Sequence, residues 1–339
     1  MPHSPAPSAR ATSFDSQPWN RVLITGGAGF IGSHLIDRFL AEGKTITAID
    51  DLSTGRPENL ALARASDRFR FITGKVSTLP NLSSLIEDSD LVIHLAAAVG
   101  VELVVKSPIQ TIETNLQETR ALLEANRSRV PVVLASTSEV YGKSAKEAFS
   151  EDDDLLIGPS HLGRWSYACS KLMDEFLAMA HSQERGLPVL IVRLFNTVGP
   201  RQTGAYGMVL PRFIEAARRG DPLRVYGNGE QSRCFGFVED VVEAIGLLIR
   251  QPRAWGQVVN VGSDCEITIE QLARQIIREL GSRSSVVKIP YSEAYAPGFE
   301  DMNRRKPVIQ KLIGLTGYKP STPLTEIIRR TAEYSSLRS

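Results

Sequence analysis

Tyr167 and Lys171 stand four residues apart in the run Tyr167-Ala168-Cys169-Ser170-Lys171. On a helix that spacing puts both side chains on one face. A phenol with a pKa near 10 is a poor base at neutral pH. A lysine cation about 5 Å away, at an effective dielectric near 20, favours the phenolate by roughly 3 kcal/mol, or about two pKa units. Such a phenol can remove a substrate hydroxyl proton while hydride leaves the same carbon. Upstream, Ser136-Thr137-Ser138-Glu139 closes the apolar run Val132 to Ala135. Hydroxyls there can hold the reacting alcohol and the incipient ketone. Glu139 reads as an acid/base or water-positioning group beside the reacting carbon. Asn196, after the run Val189 to Leu194, can hold a hydroxyl or a phosphate. Arg233, after a polar turn, can pair bidentately with a diphosphate.

Hydride chemistry needs an acceptor, and Gly26, Gly29 and Gly32 supply a place for one. They follow the buried-strand pattern Val22-Leu23-Ile24 and open a helix at Phe30, the context that marks a dinucleotide turn. Gly26 permits the tight turn, Gly29 lets the backbone approach a pyrophosphate, and Gly32 lets helix and strand pack closely. The helix N-terminus adds free N–H groups and a positive dipole end. Asp50 ends the second apolar run, 18 residues past Gly32. A carboxylate there accepts from both ribose hydroxyls and repels a 2′-phosphate, so NAD is expected rather than NADP.

The elements that must position these groups alternate. Strands are expected at Val22 to Ile24, Thr45 to Ile49, Phe69 to Ile72, Leu91 to His94, Val132 to Ala135 and Val189 to Leu194. Helices are expected at Phe30 to Glu42, Ser83 to Glu87, Ile109 to Asn126 and Tyr167 to Gln183. That alternation predicts an α/β fold with a doubly wound parallel sheet. After Pro200 the Gly and Pro density rises, and helices are expected at Leu210 to Arg219, Val238 to Ile249 and Ile269 to Leu280. The expected organisation is a dinucleotide-binding Rossmann domain over 21–196 and a smaller α/β substrate domain over 197–332, with exchange of segments between them allowed. Residues 1–20 read as a disordered leader without the apolar core of a secretory signal.

Composition sets the outer limits. The chain has 339 residues, with 39 Lys+Arg against 38 Asp+Glu, a net charge of +1. No cationic excess supports nucleic-acid or anionic-membrane binding. The apolar stretch Leu91 to Val105 is interrupted by His94 and Glu102, so no membrane span is expected. Cys169, Cys234 and Cys265 are too dispersed for a disulfide scaffold or a zinc site; no metal is expected. Each reads as a small buried core residue, in keeping with a reducing cytoplasm.

Five motifs in order resemble the extended short-chain dehydrogenase/reductase family of nucleotide-sugar enzymes: TGGAGFIGSHL, HLAA at His94 to Ala97, STSEVYG at Ser136 to Gly142, YACSK, and RLFNTVGPR at Arg193 to Arg201. The resemblance implies that Phe30, Ile31, Leu95 and Ala96 join Gly26, Gly29, Gly32, Asp50, Tyr167 and Lys171 in holding NAD. It is nearest to the UDP-glucuronate decarboxylase branch, where Thr137 and Glu139 are catalytic partners of Tyr167 and Lys171. Ser138 occupies the place of the Asp that 4,6-dehydratases carry, which argues against water elimination. Gly163-Arg164-Trp165-Ser166 is similar to the Arg-Trp preceding the tyrosine in decarboxylases. Arg304-Arg305-Lys306-Pro307 resembles a decarboxylase tail motif in which Arg305 reaches the substrate carboxylate region, with Val308 replacing a common Asp. Lys75 stands where the third strand usually ends in an Asp near the adenine. Ser138, Asn196, Tyr226, Gln231, Arg233 and Arg305 form the implied UDP-sugar site, with Tyr226 and Gln231 around the uridine. The implied product of UDP-glucuronate is UDP-xylose. A UDP-sugar or UDP-uronate 4-epimerase is the alternative in the same family. A non-catalytic NAD-binding sensor is the alternative of another class, and Tyr167 and Lys171 speak against it. The resemblance also implies a homodimer through the helices Ile109 to Asn126 and Tyr167 to Gln183.

Overall fold

The computed structural model describes residues 19–98, 107–204, 208–294 and 302–336. Strands β1 (Arg21–Thr25), β2 (Thr45–Asp50), β3 (Phe69–Thr73), β4 (Leu91–His94), β5 (Val132–Thr137) and β6 (Val189–Leu194) come with helices α1 (Phe30–Ala41), α2 (Leu82–Glu87), α3 (Pro108–Ala125) and α4 (Ser166–Arg185) between them. Beyond β6 follow β7 (Thr197–Val198), α5 (Val209–Arg219), β8 (Leu223–Tyr226), β9 (Ser232–Cys234), β10 (Gly236–Phe237), α6 (Val238–Leu248) and β11 (Val258–Val261). The chain ends through β12 (Glu266–Thr268), α7 (Ile269–Glu279), β13 (Val286–Ile289), α8 (Tyr291–Ala294), β14 (Arg304–Arg305), α9 (Gln310–Thr316) and α10 (Leu324–Ser336).

The large sheet has the order β11-β6-β5-β4-β1-β2-β3, and every pairing is parallel. Its central strands β1, β4, β5 and β6 carry buried apolar runs because both faces are covered, while the edge strand β3 stays partly exposed. On one face Leu35, Ile36 and Phe39 of α1 pack with Val241, Ile245 and Leu248 of α6. On the other, Leu85 and Ile86 of α2, Leu122 and Leu123 of α3, and Ala178 of α4 form a second core. This is a Rossmann-type α/β fold. The strand order reverses between β1 and β4, which places a crevice at the carboxyl ends of the strands there.

The later chain builds small sheets, β12-β9-β14 and β13-β8, with α5, α7 and α10 beside them. It also returns to the large sheet, since β11 pairs with β6 from Val258↔Ile191 to Val261↔Leu194. The run Val258-Val259-Asn260-Val261 is short and apolar, and its strand character comes from that pairing. Three details differ from the sequence expectation. Strand β5 extends through Ser136 and Thr137, because they pair with Arg193 and Leu194. Order begins before Arg21: the Trp19 indole donates to Ile249 O at 3.2 Å and its ring lies 5.9 Å from that of Trp255. The rest of the expected leader, residues 1–18, lies outside the described residues. Of the cysteines only Cys234 is buried; Cys169 and Cys265 are exposed, because their positions on α4 and in the loop before β12 face away from the cores. No described helix is long and apolar enough to cross a membrane.

The turn after β1 shows why glycine is required there. Gly26 has φ +70°, and a Cβ on it would lie 2.9 Å from Ala96 N. A Cβ on Gly32 would lie 2.2 Å from Gly26 O, so α1 can approach the turn only as it stands. Gly32→Ala is therefore expected to destabilise the fold by roughly 1–3 kcal/mol and weaken NAD binding, read by thermal unfolding and cofactor titration.

Candidate active site

A cavity of about 700 Å³ opens at the carboxyl ends of β1, β4, β5 and β6 and runs out to β8, β9 and β14. Its wall includes Gly26, Gly29, Phe30, Ile31, Gly32, Asp50, Leu95 and Ala96 on one side. Thr137, Glu139, Tyr167 and Lys171 lie on the wall too, as do Asn196, Tyr226, Gln231, Arg233 and Arg305. Ser138 is the exception among the expected site residues. It is fully buried behind the wall, where its hydroxyl accepts an N–H of Arg305 at 2.8 Å. The structure gives its hydroxyl a partner on the protein, the Arg305 guanidinium.

The dinucleotide side fits its ligand class. No side chain caps α1 at Gly29, so the first N–H groups of the helix stay open. The Asp50 carboxylate is buried at the tip of β2 and accepts Ala28 N–H at 2.9 Å and Leu52 N–H at 2.8 Å. Burial pushes its carboxyl up, and those backbone donors pull it back. Each oxygen keeps further acceptor capacity for a ribose. Lys75 lines the cavity. Near it Glu118 of α3 accepts Val76 N–H at 2.6 Å and is hydrogen-bonded by the Ser77 hydroxyl.

Tyr167 and Lys171 share the first turns of α4, as expected. The electrostatics differ from the expectation. Burial raises the Tyr167 phenol above its usual range, and the Glu139 charge pushes the same way. The Thr137 side chain, within hydrogen-bond reach of the phenol, and Arg305 act downward. The Lys171 ammonium is itself paired with Asp174 at 2.8 Å, so its charge is shared with that carboxylate. His94, beneath Lys171 in β4, is held neutral at about 3 by burial and by the Lys171 charge.

Glu139 sits between two guanidiniums. Arg164 pairs with its Oε2, and Arg305 donates to its Oε1 at 3.4 Å. Burial pushes the Glu139 carboxyl up, but Arg164, Arg305 and Arg233 outweigh it and hold it at about 2. At neutral pH Glu139 is thus a fixed anion, a weak proton donor or acceptor that is suited to orienting a hydroxyl, a water or its arginine neighbours. Arg164 was not among the expected site residues, although the Arg-Trp run before Tyr167 carried the signal. Of the other cationic wall residues, Arg201 closes the motif RLFNTVGPR, whereas Arg56, Arg212 and Arg224 had no motif to mark them. Arg212 stands 4.6 Å over the Tyr226 ring and donates to its hydroxyl at 3.2 Å. Gln231 holds Tyr226 O through Nε2 at 2.9 Å and leaves a buried Oε1 without a partner. Arg233 spends one arm on Ser232 O at 2.7 Å, and Asn196 Nδ2 donates to Cys234 O at 3.3 Å. Among the described residues no group of three His, Cys, Asp or Glu could hold a metal ion.

Residues 22–262 match the model of the NAD dependent epimerase/dehydratase family. The chain belongs to that family. It is 39% identical over 93% of its length to UDP-N-acetyl-alpha-D-glucosaminuronate decarboxylase of Bacillus cytotoxicus, covering 97% of that protein. It is 36% identical over 93% of its length to UDP-glucuronic acid decarboxylase 1 of Xenopus tropicalis, covering 72% of it. Among solved structures, the UDP-glucuronic acid 4-epimerase of Bacillus cereus, in complex with UDP-glucuronic acid and NAD, superposes with a TM-score of 0.84 at 28% identity. That likeness covers 94% of this chain and 100% of the epimerase.

The Glu139 cluster yields a stability prediction. Its carboxyl is held at about 2 against an ordinary 4.5, so the stabilisation is complete above pH 4.5 and is lost as pH falls towards 2. Glu139→Gln leaves Arg164 buried without its anion. The expected cost is about 3 kcal/mol at neutral pH, with a flatter acid limb than the parent, measured by urea unfolding across pH.

Proposed function

We propose that this family member decarboxylates a UDP-linked hexuronate through a 4-keto intermediate, converting UDP-glucuronate to UDP-xylose. The observation that carries the reading is the pair of arginines, Arg164 and Arg305, flanking Glu139 beside Tyr167. A guanidinium pairs bidentately with a carboxylate, so two of them at this wall suit a carboxylated sugar and offer nothing comparable to a neutral hexose. The decarboxylase relatives, matched along nearly the whole chain, support the same reading.

The residues expected to hold NAD are the turn Gly26, Gly29, Phe30, Ile31 and Gly32, then Asp50 at a ribose, Leu95 and Ala96, and Tyr167 with Lys171. Bound NAD supplies the hydride acceptor and, on return, the donor. Tyr167 removes the proton of the sugar 4-hydroxyl as that carbon is oxidised. The 4-ketone is then β to the carboxylate on carbon 5, so carbon dioxide leaves with its bond electrons delocalised onto the ketone oxygen. The Thr137 hydroxyl and the Tyr167 phenol stabilise that enolate oxygen. Arg305 and Arg164 orient the carboxylate before it leaves, with Glu139 and Ser138 fixing the arginines. Arg233 and Asn196 hold the diphosphate and a sugar hydroxyl, and Tyr226 and Gln231 line the base. A proton taken up from solvent water at carbon 5, then reduction at carbon 4 with Tyr167 returning its proton to the carbon-4 oxygen, give the pentose.

The 2-acetamido uronate is a second substrate, favoured by the identity to the Bacillus cytotoxicus enzyme. The chemistry at carbons 4 and 5 is common to both. The exposed thiols Cys169 and Cys265 suit a reducing cytoplasm. A homodimer is proposed through α3 and α4, which leave Ile109 and Phe176 72% and 64% exposed.

Mass spectrometry with UDP-glucuronate and with UDP-N-acetylglucosaminuronate tests the reaction. Loss of carbon dioxide from either is the expected result; unchanged mass with altered chromatography assigns a 4-epimerase, and no turnover assigns a sensor. Tyr167→Phe is expected to abolish transient NADH formation while NAD still binds, read by absorbance and calorimetry. By sedimentation the parent is expected to be a dimer and Phe176→Glu a monomer; a monomeric parent removes the helix-pair interface.

A further inference from the structure

Lys171 has a partner that the proposed mechanism does not use. Its Nζ donates to Asp174 Oδ2 at 2.8 Å, and the two side chains are 4% and 0% exposed. A carboxylate buried that completely is retained at a cost unless it is paired. The Asp174 Oδ1 is buried, with the Thr119 side chain of α3 as its hydrogen-bonding neighbour. Apolar residues of similar size would pack there at little cost.

The surroundings tie this pair to the cavity wall. On α3, Thr119 faces Asp174, and its hydroxyl lies 3.2 Å from His94 Nε2. The other ring nitrogen of His94 lies 2.7 Å from the Thr25 hydroxyl, which accepts the N–H groups of Leu95 and Ala96 at 3.2 Å each. The remaining charged groups around the pair are committed elsewhere. Glu175 of α4 is forked by Arg193 of β6 and bonded by Ser136 of β5. Glu118 of α3 is spent on Val76 and Ser77. Glu139 and Arg305 are engaged with each other and with Arg164. Asp174 is therefore the anion that sets how much of the Lys171 charge reaches Tyr167.

We propose that Asp174 is a positioning residue: its carboxylate fixes the Lys171 ammonium beneath the cavity, offsets its charge, and so sets the pH at which Tyr167 takes the substrate proton. The inference rests on the reading of Tyr167 as the base. Asp174 raises the phenol while Lys171 stands beside it, so removing the carboxylate charge at constant shape favours the phenolate.

The experiment is Asp174→Asn in the full chain loaded with NAD, with UDP-glucuronate as substrate. The rising limb of the kcat–pH profile is expected to move down by about one pH unit, a tenfold change in the phenolate fraction on that limb. An ultraviolet difference titration of the phenolate, taken against Tyr167→Phe, is expected to show the same downward displacement without turnover. Asp174→Ser repeats both measurements should the amide variant fold poorly. A uniform fall in kcat with the limb and the titration in place overturns the proposal, and so does loss of the fold in both variants. Turnover by Tyr167→Phe removes the base itself. An inactive Tyr167→Phe with an unmoved limb in Asp174→Asn removes only the role of Asp174.

Discussion

A single carboxylate pinned between two guanidiniums organises this cavity. Glu139 follows β5, Arg164 immediately precedes α4, and Arg305 comes from β14 of a separate small sheet. Their mutual attraction joins three distant stretches of chain around Tyr167. Such a cluster is expensive to bury and is stable only while every member is present. It therefore fixes the distance between the end of β5 with α4, which carries the phenol, and the later chain, which carries the remaining arginines. A substrate that brings its own carboxylate into this cluster alters a balance that is already close.

Behind the wall a second polar network holds the scaffold still. Arg193 of β6 forks onto Glu175 of α4, and Ser136 of β5 bonds the same carboxylate. The Arg193 guanidinium also stands 4.8 Å over the Tyr141 ring, whose hydroxyl donates to Asn260 of β11 at 2.8 Å. Asn260 in turn donates its backbone N–H to Glu151 at 2.8 Å. Ser136, Arg193, Asn260 and Glu175 lie on β5, β6, β11 and α4, and Tyr141 and Glu151 in the connection after β5, so the network cross-links the strands whose ends form the site. Low polarity inside strengthens each bond and makes partial loss costly. A reaction that moves one proton between a phenol and a sugar hydroxyl needs that rigidity, because small displacements of the acceptor cost large factors in rate.

The same economy governs the charge on Lys171. An ammonium beneath a phenol favours phenolate, but a nearby carboxylate takes part of that effect away. In this chain burial and the anions Glu139 and Asp174 raise the phenol, while Arg305 and the Thr137 hydrogen bond lower it. The acidity of Tyr167 is thus a sum over burial and four side chains from three chain segments, and no pair of residues settles it.

Local patterns fixed much of what this molecule is. Continuous apolar runs of four to six residues between amphipathic helices allow only a parallel sheet covered on both faces, and the strand and helix positions follow from them. Gly26 and Gly32 are legible because a positive φ and a 2.2 Å approach admit no side chain, a constraint written into residue type. Tyr167 and Lys171 are legible because helical spacing alone makes them neighbours. Long-range pairing decided the rest. Ser136 and Thr137 became strand residues only through β6, and Val258–Val261 became the seventh strand only because an edge of the sheet was free to take it. Ser138 turned from the cavity to Arg305, and Asp174 and Arg164 acquired their partners, through contacts set by packing. Composition and spacing reveal which groups can ionise; only the folded arrangement fixes which charges face each other across a few ångströms of low dielectric.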